Sequence, residues 1–209
     1  AHIWADDTND NTYNPTELTD LGVVELNATN RYKASLRGLN KYAADGITEI
    51  KYYVKEEALT GYTNNNAPND GSGILFSLDA ETGSLKANIE NTEEKLNIAV
   101  EKRWVGLDKY TDEQRANLPT INVDLYDVTD SHNEMLITGR TANLELDTTD
   151  TSNSTYKTTF TDLPKYKYDN QGNAVEIVYG VKERQAANLS GYDVTYTTDT
   201  KNAKYTITN

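Results

Sequence analysis

The sequence predicts an all-β fold, and three observations carry that prediction. Tyr counts 15 against two Phe, and Thr recurs throughout; both suit pleated, half-buried strands. Gly, Asn and Asp punctuate the chain about every ten residues, the rhythm of short strands joined by turns. Long stretches of helical period are scarce. Hydrophobic residues make up 36% of the 209, enough for a modest core in one large domain or two small ones. The regular alternation described below distinguishes the chain from a disordered one of similar polarity.

Composition also excludes several classes of function. A formal net charge of -13 opposes binding to nucleic acid, whose phosphates need clustered Lys and Arg. It equally opposes anionic membrane surfaces. The absence of Cys removes disulfides and thiolate metal sites. No run of 18 apolar residues is present, so no helical membrane span is expected. No signal peptide, sorting motif or anchor is visible, and the expectation is a mature fragment of something longer.

The chain repeats itself. Residues 32–42 begin Tyr-Lys-Ala-Ser and end Lys41-Tyr42; residues 156–166 begin Tyr-Lys-Thr-Thr and end Lys165-Tyr166. Leu39 answers Leu163, and Glu49 to Glu56 answers Glu176 to Glu183 in step. Gly61-Tyr62 answers Gly191-Tyr192, and residues 87–91 answer residues 205–209. Two copies of one module are therefore expected, over residues 1–94 and 95–209. The joint at Thr92 to Asn97 lacks Gly and Pro and is too short for a free tether. The first copy is shorter before the shared block. It carries extra residues at 67–84, read as an inserted hairpin or loop with Ile74, Leu75 and Phe76 in a strand.

Strand side chains alternate between faces. In the second copy Ile98, Val100, Lys102 and Trp104 share one face, as do Ile177, Tyr179, Val181 and Glu183, and Tyr205, Ile207 and Asn209. The apolar members mark the core side, so each set places one polar group there: a Lys, a Glu and an Asn. Burial disfavours both charges, which makes a neutral amine beside a protonated carboxyl chemically accessible. A neutral amine is a nucleophile, and the Asn side chain carries a carbonyl. A protonated Glu can polarise that carbonyl and move protons. The product would be a Lys–Asn amide, with ammonia released once per molecule. Periodicity alone leaves a second reading open, in which these residues sit at strand ends and reach solvent.

The motifs resemble those of Cna B-type domains, the repeats of Gram-positive surface adhesins and pilins. The matching segments are Val100-Glu-Lys-Arg-Trp104, residues 118–126, residues 160–166, Tyr179-Gly-Val-Lys-Glu183, Gly191-Tyr192 and Ile207-Thr-Asn209. Their order and spacing span nearly all of residues 97–209. The resemblance implies two tandem Greek-key, prealbumin-like (Ig-like) β-sandwiches. It also implies an intramolecular isopeptide bond between Lys102 and Asn209, with Glu183 as proton shuttle. In the first copy Glu56 and Asn91 fall in the Glu and Asn positions. Trp4 is matched to Trp104, which puts His2 at the Lys position. An imidazole gives no stable amide, so no bond is expected there. The stretch from Trp4 to Tyr32 is short by about one strand and its turn, a strand being ~5–6 residues.

The function implied is mechanical rather than enzymatic: a stalk or spacer segment of a cell-wall-anchored adhesin or pilus protein. Its partners would be neighbouring domains of the same surface protein, with the fragment itself monomeric. The alternatives are a module that grips a host extracellular-matrix protein or glycan, and an accessory domain of a secreted enzyme. No cofactor and no metal are expected. Asp7-x-Asn9-x-Asn11 resembles the start of a calcium loop, but Thr12 and Leu18 stand where Gly and Glu are needed. His2 and His132 are too far apart in sequence to suggest a triad or zinc site. His132 is read as a loop tip, and Trp4 and Trp104 as core residues rather than sugar platforms.

Overall fold

The structure is a computed structural model of the 209-residue chain. It describes residues 1–8, 13–150, 154–184, 193–199 and 203–209. The Gly191-Tyr192 motif and Asn9 and Asn11 of the acidic loop lie outside the described residues. The chain divides into two compact units, Ala1–Glu93 and Glu94–Asn209. The all-β class expected from the sequence is what the structure has.

Unit 1 is built from β1 (His2–Asp6), β2 (Thr19–Val23), β3 (Lys51–Lys55), β4 (Tyr62–Asn64), β5 (Ile74–Leu75), β6 (Ser77–Leu78), β7 (Leu85–Lys86) and β8 (Asn91–Glu93). One sheet has the order β2-β1-β3-β5, and β4–β8 and β6–β7 form separate two-stranded ladders. The core is small: Ile3, Tyr52, Tyr53 and Val54 are its buried hydrophobic residues among those described. The inserted stretch contributes in two ways. Ile74 and Leu75 pair with Val54 and Tyr53 at the edge of the sheet, and the β6–β7 hairpin follows.

Unit 2 begins with β9 (Lys95–Arg103), followed by a 3-10 turn at Leu107–Lys109 and the short helix α1 (Asp112–Ala116). Thr111 caps α1 reciprocally with Gln114, each side chain accepting the other's backbone N–H. Then come β10 (Asn122–Asp127), β11 (Met135–Asn143), β12 (Glu145–Leu146), β13 (Thr155–Pro164), β14 (Tyr166–Tyr168), β15 (Ala174–Glu176), β16 (Tyr179–Glu183), β17 (Thr195–Asp199) and β18 (Lys204–Thr208). One sheet runs β11-β10-β16, and a five-stranded sheet runs β12-β13-β9-β18-β17. β9 and β18 are parallel, with Ala99 opposite Lys204 and Arg103 opposite Thr208. The other pairings within these two sheets are antiparallel.

The two sheets face each other across one core. Ile98, Val100, Phe160, Leu163 and Ile207 enter from the larger sheet, and Val123, Leu125, Tyr179 and Val181 from the smaller. Gly180, the second residue of β16, lets Val128 pack onto the backbone; a Cβ there would lie 2.8 Å from Val128 Cγ1. β14 and β15 form a separate hairpin. His132 is exposed in the turn between β10 and β11, as expected of a loop tip.

A partly buried ion pair fastens the smaller sheet. Asp124 of β10 accepts hydrogen bonds from Arg184 Nη2 at 2.7 Å and Nε at 3.0 Å, and from Thr141 Oγ1 of β11 at 2.6 Å. The Arg184 guanidinium holds the Asp124 carboxyl below its ordinary 3.8, against the opposing effect of burial. A lowered carboxylate contributes stability that is present in full above 3.8 and lost as pH falls through the folded value. Arg184→Ala should therefore lower the stability of unit 2 at pH 7, by an amount held down by the solvent that screens the exposed arginine. The deficit should shrink on acidification below pH 3.8. Urea titrations of both proteins at pH 7 and in acid measure the two differences.

Candidate functional site

In unit 2 the structure brings Lys102, Glu183 and Asn209 together, and the strands explain how. Lys102 lies on β9 with Val100 and Trp104 on the same face, all turned into the core. Its side chain is 0% exposed. Glu183 comes from the opposite sheet, at the end of β16, with its backbone opposite Val123. Its N–H donates to Tyr196 Oη at 3.2 Å.

Asn209 immediately follows β18 and prolongs its ladder with β9. Its N–H donates to Arg103 O at 3.0 Å, and its carbonyl accepts from Val105 N–H at 2.7 Å. These two bonds straddle Trp104 and point the Asn209 side chain to the same face as Lys102. The site thus spans both sheets, with the amine and the carboxamide on one and the carboxyl on the other.

Lys102 Nζ donates to Glu183 Oε2 at 2.7 Å, and Asn209 Nδ2 donates to Glu183 Oε1 at 3.4 Å. Lys102 Nζ also lies 4.6 Å from the centre of the Trp104 ring, a cation–π contact that closes the site on that side. Burial pushes the Lys102 amine below its ordinary value, while the Glu183 hydrogen bond and charge pull it back up. Asn209 Oδ1 is buried and has no hydrogen-bond partner among the described residues. An amide rotated by half a turn would present that oxygen to Glu183. An amine, a carboxyl and an amide carbonyl with no hydrogen-bond partner among the described residues are therefore buried together.

Unit 1 holds part of the same arrangement. Glu56, just after β3, accepts Asn91 Nδ2 on Oε1 at 2.8 Å. Its Oε2, the oxygen that meets a lysine in unit 2, accepts Asn64 Nδ2 at 3.1 Å.

The expected match of His2 to the lysine position is corrected by the strand pairing. β1 pairs with β3 so that Ile3 faces Val54, just as Leu125 of β10 faces Val181 of β16. β1 is therefore the counterpart of β10, and His2 stands where Asp124 does. Trp4 corresponds to Tyr126, not to Trp104. The His2 ring lies 3.4 Å from Glu57 and 4.0 Å from Asp20 and stacks on Trp4. Among the described residues of unit 1 there is no counterpart of β9. This accounts for the stretch that looked one strand too short. Asn64 was missed in the sequence; its only signal was its place two residues after Tyr62.

Among the described residues no group of three or more His, Asp or Glu is arranged to hold a metal ion. No helix is long and apolar enough to cross a membrane.

Comparison with known proteins places the chain in a family. Two solved structures of the pilus adhesin SpaC from Lactobacillus rhamnosus GG are similar in part. The first is 22% identical with a TM-score of 0.37, covering 66% of this chain and 15% of that one. The second, in an open conformation, is 24% identical with a TM-score of 0.35, covering 61% and 14%. The chain thus spans only about 15% of the length of that adhesin. No curated protein matches. The Cna protein B-type domain family matches residues 1–75 and 98–209, nearly the whole sequence in two segments, and the chain belongs to that family.

Proposed function

We propose that this chain is a spacer segment of a Gram-positive cell-surface adhesin or pilus protein, and that unit 2 seals itself with a Lys102–Asn209 amide. The observation that supports it is the buried contact of Lys102, Glu183 and Asn209, three groups whose chemistry is complementary and whose burial is otherwise costly. The neutral amine of Lys102 attacks Cγ of Asn209. Glu183 takes a proton from the lysine nitrogen and delivers one to the departing amide nitrogen. One C–N bond forms, one breaks, and ammonia leaves. No group turns over, so the product is a cross-link and not a catalyst.

The cross-link suits a spacer. It joins the first and last strands of the unit, between which a pull on the two ends would be transmitted. Like a disulfide it restricts the unfolded chain, and a closed loop of roughly 100 residues is worth about 4–5 kcal/mol on that account. Unlike a disulfide it needs no oxidant. Its surroundings in a surface protein would be neighbouring domains of the same polypeptide.

Intact mass spectrometry tests the proposal. The purified chain should weigh one ammonia less than its sequence requires, and Glu183→Ala should restore the full mass. A full-mass parent protein, or a deficit that persists in Glu183→Ala, would refute the assignment.

A further inference from the structure

The smaller sheet of unit 2 ends at β16, and among the described residues no strand pairs with the far edge of β16. Arg184 N–H donates to Asn122 O, and Val178 O accepts from Val128 N–H, so these backbone groups point toward β10 and the residue after it. Successive residues of an antiparallel strand point their backbone groups to opposite sides. Those of Tyr179, Val181 and Glu183 therefore point to the open edge. Two tyrosine hydroxyls from the larger sheet meet them there. Tyr196 Oη of β17 accepts the Glu183 N–H at 3.2 Å, and Tyr205 Oη of β18 donates to Tyr179 O.

We propose that Tyr196 is a positioning residue for Glu183: its hydroxyl seats the carboxyl-bearing residue against the amine of Lys102 and the carboxamide of Asn209. The proposal rests on the chemistry inferred above for unit 2.

Of the three groups, Glu183 alone comes from the smaller sheet. The β9–β18 ladder sets Lys102 beside Ile207 and so aligns the amine with Asn209. That ladder does nothing to fix the opposite sheet, which packs ~10 Å away. Glu183 is also the last residue of β16. On one side its backbone is held through the β10 ladder. On the other side its printed partner is the Tyr196 hydroxyl. Tyr196 stands opposite Ile207, so its side chain leaves β17 on the face of Ile207 and Asn209. The ring is 45% exposed, as befits a side chain that bridges the rim of the sandwich. Tyr205 makes the matching link at the far end of β16. Burial pushes its hydroxyl above the ordinary 10.0, which keeps it protonated as a donor must be. The β17–β18 pair thus carries both the carboxamide and the hydroxyl that seats the carboxyl, and its docking brings the three groups into line together. Phenylalanine at 196 would keep the ring and leave the Glu183 N–H unpartnered at the open edge. A reacting group displaced by ~1 Å can lose ~100-fold in rate.

The test uses the full 209-residue chain, made by cell-free synthesis and quenched at intervals. Intact mass gives the fraction that has lost one ammonia. Tyr196→Phe should reach the folded circular-dichroism and tryptophan spectra, yet lose ammonia about 10–100-fold more slowly than the parent. Ile98→Val trims the core and costs stability alone; it should keep the parent's rate. The Glu183 amide should be protected from hydrogen exchange in the parent and exposed to it in Tyr196→Phe. Equal rates in the parent and Tyr196→Phe would overturn the proposal and leave the reading of unit 2 standing. Equal slowing in Ile98→Val would do the same, since stability would then set the rate. If Tyr196→Phe does not fold, exchange in the parent decides: a protected Glu183 amide supports the seat, and a freely exchanging one overturns it. A parent chain that never loses ammonia overturns the reading of unit 2 and this proposal with it.

Discussion

Glu183→Ala should remove most of the stability of unit 2. Two losses combine. Without the carboxyl the amide does not form, which forgoes about 4–5 kcal/mol of loop restriction. Lys102 is then left buried without its partner, a further cost of roughly 3–5 kcal/mol. A whole domain is typically stable by only about 5–15 kcal/mol, so this variant is expected to unfold at low urea or not to fold at all. Lys102→Met combined with Glu183→Leu separates the two terms. It removes both charges and fills their volume, which is close to neutral or stabilising for an ion pair. Only the contribution of the cross-link should then be missing. Urea titration should rank the parent first, the double variant about 4–5 kcal/mol below it, and Glu183→Ala last. A double variant as stable as the parent would show that no cross-link contributes.

Pulling on the chain by its ends should give the second large effect. β9 and β18 run parallel, so force applied at the start of one and the end of the other shears every ladder bond between them at once. Those bonds contribute only ~1 kcal/mol each and would yield. An amide from Lys102 to Asn209 would route the force around residues 103–208. At ~3.3–3.6 Å per residue, that segment is roughly 350–380 Å of chain withheld from extension. Single-molecule stretching should find no such length released from unit 2 in the parent, and its full release in the Lys102→Met, Glu183→Leu variant. Equal release in both would sink the idea.

Much of unit 2 was legible before its structure. Alternation put Ile98, Val100, Lys102 and Trp104 on one inward face, and the structure buries all four. The same reading isolated Glu183 and Asn209, because a polar residue in register with Tyr179, Val181 or Ile207 must face inward too. Unit 1 resisted for a physical reason. A match of one tryptophan cannot say which strand a segment forms, since that is decided by pairing. Only the register of β1 with β3 shows Trp4 to be the equivalent of Tyr126. Residues 32–42 carry a strand's sequence, yet a strand also needs a neighbour, and no described strand of unit 1 pairs with them beyond the bridge at Tyr42. The pairing of Glu56 with Asn64 was hidden likewise, because it depends on β4 lying alongside β8.

The placement of β9 also sets an order of events. It is the central strand of its sheet and the first to be made, while its parallel partner β18 comes at the far end of the unit. At roughly 5–20 residues per second of synthesis, about 5–20 s separate the emergence of the two. Throughout that wait one edge of β9, bearing Ile98 and Val100, has no native partner. Contacts so distant in sequence are slow to close, and an apolar edge kept waiting invites pairing with a neighbouring chain. The acidic excess of the polypeptide counters this by mutual repulsion. Lys102, Glu183 and Asn209 can meet only once β18 has docked, so the site becomes complete at the moment the fold does.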